Sequence, residues 1–191
     1  ALRALSKGIP VVALKTGSSE IGSALTVSHT GSLSGSTELY EALFARTGVI
    51  SVTNPSQFLE TLKFLCVVGA PKGSRVAGFT CSGGGATMLA DYAEKIGLTL
   101  PPVDPAQDPA LTALLPDIAT VSNPLDYTTP IWGQGEYTYP VFAKAIAALN
   151  ADVAVLVQDY PAAGLDASKG YYQQDAAAFG RAAKEQGLPA A

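Results

Sequence analysis

The sequence predicts an α/β protein whose parallel sheets are covered by helices on both faces. Short, continuously apolar segments such as 76–80 and 153–157 alternate with longer amphipathic segments along the 191 residues. Strands without polar alternation are typical of a sheet buried on both faces, and helices between such strands indicate parallel crossovers. Charged residues make up 15% of the chain, against roughly 25% in an average globular domain. Most elements are therefore expected to be covered by one another or by partner surfaces.

Residues 1–70 are predicted to hold two strands and two helices around a long loop. The loop is rich in glycine and small polar residues, which favour turns over regular structure. The second helix places Cys66 on its apolar stripe, so we expect a buried thiol there. The expected elements are a strand at 10–15, the loop at 16–35, a helix with Leu39, Tyr40, Leu43 and Phe44 on one face that ends at Gly48, a strand at 49–52, and a helix that begins at Asn54 or Ser56.

A polar break at 70–74 separates two regions of regular periodicity and predicts a domain boundary. The alternation of strands and helices restarts after this break. The expected elements are strands at 76–80, 98–100 and 153–157, a tight loop at 81–85, a helix carrying Met88, Leu89, Tyr92 and Ile96, a brief helix near 111–115, a loop from Asn123 to about Gly135, a helix with Val141, Phe142, Ala145, Ile146 and Leu149 inward, and a last helix at about 167–186.

The alternation is typical of a doubly wound sheet, and the flavodoxin-like strand arrangement is the form that we expect. Residues 1–70 are interpreted as the C-terminal part of a first such domain, because two strands are too few for an independent parallel sheet. Residues 75–191 are interpreted as a second such domain that is truncated at its C terminus. We therefore expect the chain to be a fragment of something longer.

The composition excludes several classes of function. The formal net charge is -4, and no basic cluster is available to neutralise a phosphate backbone, so we expect no nucleic-acid binding. No apolar run approaches the ~18 residues of a membrane span, so we expect no membrane insertion and a cytoplasmic location. Cys66 and Cys81 lack metal-ligand spacing, so no metal site is expected.

Three turns have the composition of anion-binding sites. In a doubly wound sheet, ligands bind beyond the carboxyl ends of strands, where glycine-rich turns lead into helix N termini. Glycines and small residues let backbone N–H groups approach an anion closely. The turns are 27–35, 80–86 and 123–130. Their candidate phosphate-binding residues are Thr30, Gly31, Ser32, Ser82, Gly83, Gly84, Gly85, Thr128 and Thr129.

His29, the one histidine of the chain, lies in the first of these turns. A lone histidine is usually structural or a surface residue, but this one sits in a polar loop and not on an apolar face. A neutral imidazole is a nucleophile toward phosphorus at cytoplasmic pH. The chain has no P-loop lysine motif and no dinucleotide-binding glycine fingerprint. The residues by themselves therefore predict a phosphate or phosphoryl site, with His29 as the candidate nucleophile.

The other candidates have structural alternatives beside the functional ones. The run 83–85 is either a phosphate loop or a turn that needs positive φ. Asp126 either caps a turn, which is the favoured interpretation, or orients a group in the site. Lys15 either reaches an anion from the carboxyl end of its strand or is solvated. Trp132 either lines a pocket or belongs to a core or an interface, the interpretation that we favour.

Two segments, 12–17 (VALKTG) and 28–35 (SHTGSLSG), closely resemble the NDP-forming acyl-CoA synthetases. That family includes ADP-forming acetyl-CoA synthetase and, more distantly, succinyl-CoA synthetase. Segments 75–85 (RVAGFTCSGGG) and 122–126 (SNPLD) resemble the opening strand, the glycine loop and the "NP-hydrophobic-D" loop of the family's other flavodoxin-like CoA-ligase domain. Together these motifs extend the resemblance over nearly the whole chain.

The resemblance implies a parent enzyme that makes acyl-CoA from a small carboxylic acid, CoA and ATP through an acyl phosphate and a phosphohistidine. It assigns the phosphorylated histidine to His29 and supporting positions to Lys15, Asn123 and Asp126. ATP or ADP with Mg²⁺, and CoA, are implied, bound mostly by domains absent from this chain. The implied partners are a CoA-binding Rossmann domain and an ATP-grasp domain, in cis or as another subunit, within an oligomer. The isolated chain is expected to be inactive.

Two alternatives stay open on the same scaffold. One is a non-catalytic regulatory module of a fused acetyltransferase, although the retained His29 counts against it. The other is a CoA-dependent lyase. Segment 127–133 (YTTPIWG) is not the commonest sequel to the family's NP-hydrophobic-D motif, so the acyl substrate is left open. An ATP-grasp domain elsewhere in the full-length protein would favour the synthetase, and a fused acetyltransferase domain would favour the regulator.

Overall fold

The computed structural model describes residues 2–30, 35–164 and 167–191. The chain divides into two compact units, residues 1–70 and 71–191. The first unit has a two-stranded sheet and the second a three-stranded sheet, and all strand pairs in both are parallel. The α/β class with parallel sheets and helices is therefore confirmed. Among the described residues, no helix is both long and apolar enough to span a bilayer.

The first unit is built on two short strands joined in parallel, with Val12 opposite Ile50. Gly48 ends the preceding helix in the left-handed conformation (φ 74°) that a C-cap glycine provides. Asn54 caps the next helix by accepting a hydrogen bond from the N–H of Gln57 at 2.9 Å. The elements are α1 (Leu2–Leu5), β1 (Val12–Leu14), α2 (Glu20–Thr30), α3 (Thr37–Thr47), β2 (Ile50–Val52) and α4 (Pro55–Val67).

The loop predicted at 16–35 is wrong for much of its length, because α2 occupies it. The side chain of Ser19 accepts a hydrogen bond from the N–H of Gly22 at 3.1 Å and so supports the first turn. The hydroxyl of Thr26 donates to the carbonyl of Gly22, one turn earlier, at 2.9 Å. Small polar residues have weak helix propensity, but serine is a favoured N-cap residue, and Ser19 is the local start signal that the loop prediction missed.

The first unit buries little apolar surface by itself. Among the side chains described in it, Val52 alone is buried. Cys66, which was expected to be buried, is exposed. The reason is that α4 packs against a sheet of only two strands, which covers one side of the helix. Leu39 and Leu59 are likewise exposed.

The second unit is a longer alternation of strands and helices. Its elements are β3 (Val76–Thr80), α5 (Gly83–Lys95), α6 (Asp108–Thr112), β4 (Leu125–Asp126), α7 (Gly135–Ala148), β5 (Val153–Leu156) and α8 (Lys169–Glu185). The sheet order is β4-β3-β5, and residues 189–191 extend it beyond β5 through hydrogen bonds with Ala154. This order follows the flavodoxin-like arrangement. The strand predicted at 98–100 is reduced to an isolated bridge between Thr99 and Arg75.

The core of the second unit lies where α7 and α8 pack over the sheet. The ring of Phe79 in β3 lies 5.4 Å from that of Phe142 in α7 and 5.7 Å from that of Phe179 in α8. Full burial of such a side chain contributes about 1.5–3 kcal/mol. The residues predicted to face inward from α7 are all buried: Val141, Phe142, Ala145, Ile146 and Leu149.

The predicted apolar face of α5 is only partly correct. Met88, Tyr92 and Ile96 are more than half exposed, whereas Ala93 is buried. Leu89 lies toward the sheet, where a Cβ on Gly78 would come within 2.5 Å of its Cδ2. Because Gly78 in β3 has no side chain, Leu89 of α5 has room there and the helix packs close to the sheet.

One ion pair joins the amino ends of β3 and β5. The backbone N–H and Nε of Arg75 both donate to Oδ2 of Asp152 at 3.0 Å, and its terminal nitrogen donates to Oδ1 at 2.9 Å. A Cβ on Gly73 would lie 2.4 Å from the same Oδ2, so the carboxylate also depends on a glycine at that position. The side-chain hydrogen bonds from Arg75 lower the pKa of Asp152 to about 2.

We expect Asp152→Asn to remove a contribution to the free energy of unfolding of the second unit that varies with pH in the acid range. The folded pKa of about 2 lies below the ordinary value of about 3.9. The contribution is therefore present above about pH 4 and is lost as the pH falls toward about 2. Urea unfolding followed by circular dichroism should show a steeper loss of stability over this range in the wild type than in the variant.

Glu60→Gln is the matched control for this experiment. Glu60 pairs with Lys63, and both side chains are more than 70% exposed, at 72% and 71%. Such a pair contributes about 0–1 kcal/mol, so its removal should leave the pH profile unchanged. Identical acid profiles for the wild type and Asp152→Asn would contradict the assigned role.

Candidate functional site

The carboxyl edge of the three-stranded sheet brings together several of the predicted site residues. Ser82 follows β3. Asp126 is the last residue of β4, the strand that pairs directly with β3. A Cβ on Gly83 would lie 3.5 Å from Oδ2 of Asp126. The glycine run and the acidic residue therefore share one edge, which is where ligands bind in open parallel sheets.

The glycine run is the first turn of α5 and not a loop before it. None of the glycines 83–85 has positive φ, so the alternative of a left-handed turn is wrong. Ser82 is the N-cap, and its hydroxyl accepts a hydrogen bond from the N–H of Gly85 at 3.4 Å. A Cβ on Gly85 would lie 2.6 Å from Oγ1 of Thr80. Close packing of α5 on β3 therefore accounts for the third glycine.

Packing does not account for the first two glycines. A Cβ on Gly83 or Gly84 would make only ordinary contacts, at 3.5 Å to Asp126 and 3.6 Å to Ser82. Within the described part of the chain, neither of their N–H groups has a hydrogen-bond partner. The helix dipole places partial positive charge at these groups, which suits an anion. The carboxylate of Asp126 beside them offsets part of that charge.

Asn123 holds the loop before β4 against β3. Its amide nitrogen donates to the carbonyls of Val76 and Pro101 at 2.8 and 2.9 Å. Its amide oxygen accepts a hydrogen bond from the N–H of Gly78 at 2.9 Å. With both ends of the amide engaged by backbone groups, Asn123 supports the site by fixing the chain that leads to it.

Asp126 caps the turn that follows β4. Its Oδ1 accepts a hydrogen bond from the N–H of Thr128 at 2.9 Å, as the turn-capping interpretation expects. Thr128 has φ 64°, a strained conformation for a β-branched residue, and its buried hydroxyl has no partner among the described residues. Thr129 is exposed. Since α7 begins at Gly135, neither threonine lies in a helical first turn.

Asp175 is a buried site residue that the sequence analysis missed. It is fully buried in α8, where its carboxylate accepts a hydrogen bond from the phenol of Tyr127 at 2.8 Å. It also accepts hydrogen bonds from the N–H of Gly133 and the hydroxyl of Thr138, both at 3.1 Å. The sequence did contain a signal for this residue. Asp175 is in register with Ala178, so an acidic residue stands on the buried stripe of a helix.

The charges around Asp175 change several proton affinities. Burial raises the pKa of Asp175 itself, and the three donors act in the opposite direction. Burial, followed by the charge of Asp175, raises the pKa of Tyr127 and that of Cys81. The phenol and the thiol are therefore held in their neutral forms, so neither supplies an anionic nucleophile at this edge.

Trp132 belongs to an aromatic cluster beside the same loop. Its ring lies 5.3 Å from that of Tyr171 and 5.0 Å from that of Tyr172, in edge-on contacts. Its indole Nε1 is buried and has no hydrogen-bond partner in the part of the chain that the structure describes. A groove of about 630 Å³ runs past Tyr171 between the starts of α7 and α8, with Arg181 in its wall. The cluster packs the loop against α8.

His29 lies in α2, next to the last residue of that helix, so the predicted loop position is corrected. Its side chain and that of Thr30 fall outside the described residues, as do Gly31 and Ser32 altogether. At about 1.5 Å per residue, His29 is roughly 13 Å along the axis from the start of α2. Its backbone is therefore at the carboxyl end of the helix.

Lys15 uses its ammonium group locally. Nζ donates to the carbonyl of Thr16 at 2.6 Å and lies 5.3 Å from the ring centroid of Tyr40. Lys15 and Tyr40 line a cavity of about 140 Å³ at the carboxyl ends of β1 and β2. Glu41 lines the same cavity, so its negative charge opposes that of Lys15 toward an anion.

A separate polar cavity of about 480 Å³ lies where α2 and α3 begin. Serines and a threonine make up much of its wall, together with the carboxylates of Glu20 and Glu38. A hydrogen bond from Ser36 lowers the pKa of Glu38, which keeps that carboxylate charged. The two negative charges disfavour an anion in this cavity. Among the described residues, no group of three or more histidines, cysteines and carboxylates is placed to hold a metal ion.

Comparison with known proteins identifies the relatives of this chain. Residues 1–65 match the succinyl-CoA ligase like flavodoxin domain. The alpha subunit of ADP-forming acetate–CoA ligase II from Pyrococcus furiosus is 38% identical over 133 residues, which is 70% of this chain and 29% of that protein. A trans-feruloyl-CoA synthase from an unknown prokaryotic organism is 32% identical over 167 residues, 84% of this chain and 23% of that protein. The chain thus spans less than a third of the length of these relatives.

Solved structures extend the likeness in fold to the whole chain. The dinucleotide forming acetyl-coenzyme A synthetase 1 of Ca. Korarchaeum cryptofilum, in complex with phosphate and ADP, matches 99% of this chain and 40% of its own, with a TM-score of 0.78 and 23% identity. A crystal structure from Pyrococcus horikoshii matches 99% of this chain and 38% of its own, with a TM-score of 0.73 and 26% identity. The chain belongs to the NDP-forming acyl-CoA synthetase family, and its residues 1–65 to the succinyl-CoA ligase like flavodoxin domain.

Proposed function

We propose that the chain is part of an acyl-CoA synthetase that makes acyl-CoA from a carboxylic acid, CoA and ATP. The observation that carries the proposal is that His29, the one histidine, falls within the segment that matches the succinyl-CoA ligase like flavodoxin domain. In this proposal, an imidazole nitrogen of His29 carries the phosphoryl group between the nucleotide and the carboxylic acid. A phosphohistidine and an acyl phosphate are the two intermediates.

The second unit supplies anion-binding groups to this reaction. The N–H groups of Gly83 and Gly84, at the start of a 13-residue helix, have no hydrogen-bond partner among the described residues. Thr128 and Thr129 stand in the neighbouring loop, where Asp126 accepts the N–H of Thr128. Phosphoryl transfer depends mainly on positioning and on neutralising the charge of the moving group. These features support a phosphate-binding role for this edge of the sheet, with Ser82 as the cap that holds its helix.

In this proposal, domains outside this chain bind the nucleotide and CoA. Nucleotide with Mg²⁺ would bind an ATP-grasp domain, and CoA a Rossmann domain, each in cis or on another subunit of a cytoplasmic oligomer. The short length of the chain relative to its relatives supports this division. Those relatives are named for acetate and for ferulate, so the acid is stated here as a carboxylic acid without a narrower class.

In the full-length enzyme, we expect His29→Asn to abolish labelling by γ-labelled ATP and net synthesis of acyl-CoA. Asparagine is of similar size but has no nucleophilic nitrogen. The wild type should give an acid-labile, base-stable phosphoprotein, because a phosphorus–nitrogen bond hydrolyses in acid and survives alkali. Labelling is measured after gel separation under alkaline conditions, and synthesis by chromatography of the CoA products.

Two controls accompany the histidine experiment. Lys63→Gln, an exposed change on α4, should leave labelling intact. Exchange between acyl-CoA plus phosphate and acyl phosphate plus CoA should survive in His29→Asn, because it moves no phosphoryl group to the histidine. Full acyl-CoA synthesis by the folded asparagine variant would overturn the phosphohistidine mechanism.

The glycine run offers a test that separates packing from phosphate binding. Gly85→Ala should lower the free energy of unfolding by about 1–3 kcal/mol, because the new methyl group meets Thr80. Gly84→Ala has room for its methyl group and should leave stability unchanged or raise it by up to about 1 kcal/mol. That methyl group should nevertheless hinder the approach of an anion and raise the KM for phosphate by about fivefold or more.

Gly180→Ala is the matched control, because Gly180 lies in α8 and, outside that helix's own backbone, no described atom lies within 4 Å of its added Cβ. It should resemble Gly84→Ala in stability and the wild type in the KM for phosphate. Urea unfolding gives the first quantity, and acyl-CoA-driven ATP synthesis at varied phosphate gives the second. An unchanged KM in Gly84→Ala would leave the glycine run as a packing feature only.

A further inference from the structure

We propose that Asp175 is the positioning residue of the loop 127–134, which sets the backbone of the phosphate-binding edge. The inference rests on the proposed function, in which this loop belongs to that edge. Asp175 lies on α8, 48 residues away in sequence from its partner Tyr127. Its described hydrogen bonds come from Tyr127, Gly133 and Thr138, none of which is assigned to phosphate binding, so its effect passes through the loop.

The carboxylate holds both ends of the loop at one point. Tyr127, the first residue of the loop, donates its phenol hydrogen at 2.8 Å. Gly133, near the end of the loop, donates its backbone N–H at 3.1 Å. Thr138, in the first turns of α7, donates its hydroxyl at 3.1 Å. One side chain therefore fixes where the loop begins, where it ends and where α7 starts.

The loop has hydrogen bonds of its own, such as the backbone N–H of Trp132 to the carbonyl of Thr129 at 3.2 Å and Gln134 Nε2 to that of Pro130 at 2.8 Å, but they leave its polar groups incompletely satisfied. Thr128 is kept at φ 64°, and its buried hydroxyl has no hydrogen-bond partner among the described residues. The same holds for the buried indole N–H of Trp132 within the described part of the chain. Strained backbone and unsatisfied polar groups persist only where surrounding contacts enforce them, and they gather at functional sites. Asp175 supplies polar contacts from α8 that enforce this loop, at Tyr127 and at Gly133.

The fit at Gly133 adds a steric reason for the same geometry. Gly133 has φ 72°, and a Cβ there would lie 2.4 Å from the Cβ of Tyr171. The loop thus passes α8 at a distance that only glycine allows, directly where Asp175 receives its N–H. By contrast, α7 and α8 are held together over their length by apolar contacts such as Phe142 with Phe179 at 5.7 Å. Loss of Asp175 should therefore disturb the loop more than the helix pair.

The test compares Asp175→Asn with the wild type in the full-length enzyme, below the melting temperature of both. We expect the KM for phosphate in acyl-CoA-driven ATP synthesis to rise about tenfold or more, because a shifted loop misplaces the anion. The KM values for acyl-CoA and ADP should stay within about twofold, since other domains bind the CoA moiety and the nucleotide. Glu185→Gln, an exposed change on the same helix, should alter none of these constants.

A second variant separates positioning from stability. Asparagine places an N–H group among buried donors, so Asp175→Asn should also lower the melting temperature. Adding Tyr127→Phe removes one of the conflicting donors and should restore part of that loss while the KM for phosphate stays high. If Asp175→Asn does not fold, Thr138→Val tests the same point, because it keeps the carboxylate and two of its three donors. The KM for phosphate should then rise about threefold.

The outcomes distinguish this inference from the proposed function. A folded Asp175→Asn enzyme whose KM for phosphate is within about twofold of the wild type would overturn the positioning role, as would a KM that recovers together with stability in the double variant. A wild-type enzyme without phosphohistidine or acyl-CoA formation would instead overturn the proposed function. Phosphate binding, measured by ³¹P NMR on wild type and Asp175→Asn, then still decides whether Asp175 positions an anion site.

Discussion

A parallel sheet has apolar side chains on both faces, and the structure depends on helices that cover each face. Successive residues of a strand point to opposite faces. In β3, Phe79 meets α7 and α8 on one face, and Gly78 lets Leu89 of α5 approach on the other. The second unit satisfies this requirement with a continuous buried cluster, while in the first unit Val52 alone is buried among the described side chains.

Asp175 shows what such a core does to a charged residue. A carboxylate without partners would be costly to bury, and here three donors from one loop and one helix satisfy it. Satisfaction of the charge and definition of the loop are therefore the same set of contacts. The neighbouring phenol and thiol are held neutral as a consequence, through raised pKa values of Tyr127 and Cys81. Structure and electrostatics at this edge of the sheet have a common origin.

The candidate phosphate site combines attraction and repulsion. Free N–H groups at the start of α5 attract an anion, and the carboxylate of Asp126 beside Gly83 opposes one. The same carboxylate fixes Thr128 by accepting its N–H. In the proposed function, this balance of charge suits a phosphoryl group in transit better than a tightly held anion. His29 and the glycine run stand in separate compact units of the chain.

The sequence alone determined the fold class, the strands at 76–80 and 153–157, and the inward face of α7, because periodicity is a local signal. It also determined the choice of His29 and the glycine run as chemical candidates. Tertiary structure decided that Cys66 is exposed and that Asp175 binds both ends of the 127–134 loop. These features depend on which surfaces pack together in the folded chain. The contact between residues 48 positions apart has only one local signal in the sequence, an acidic residue on the buried stripe of a helix. Local propensity sets the elements, whereas partners distant in sequence set burial and charge.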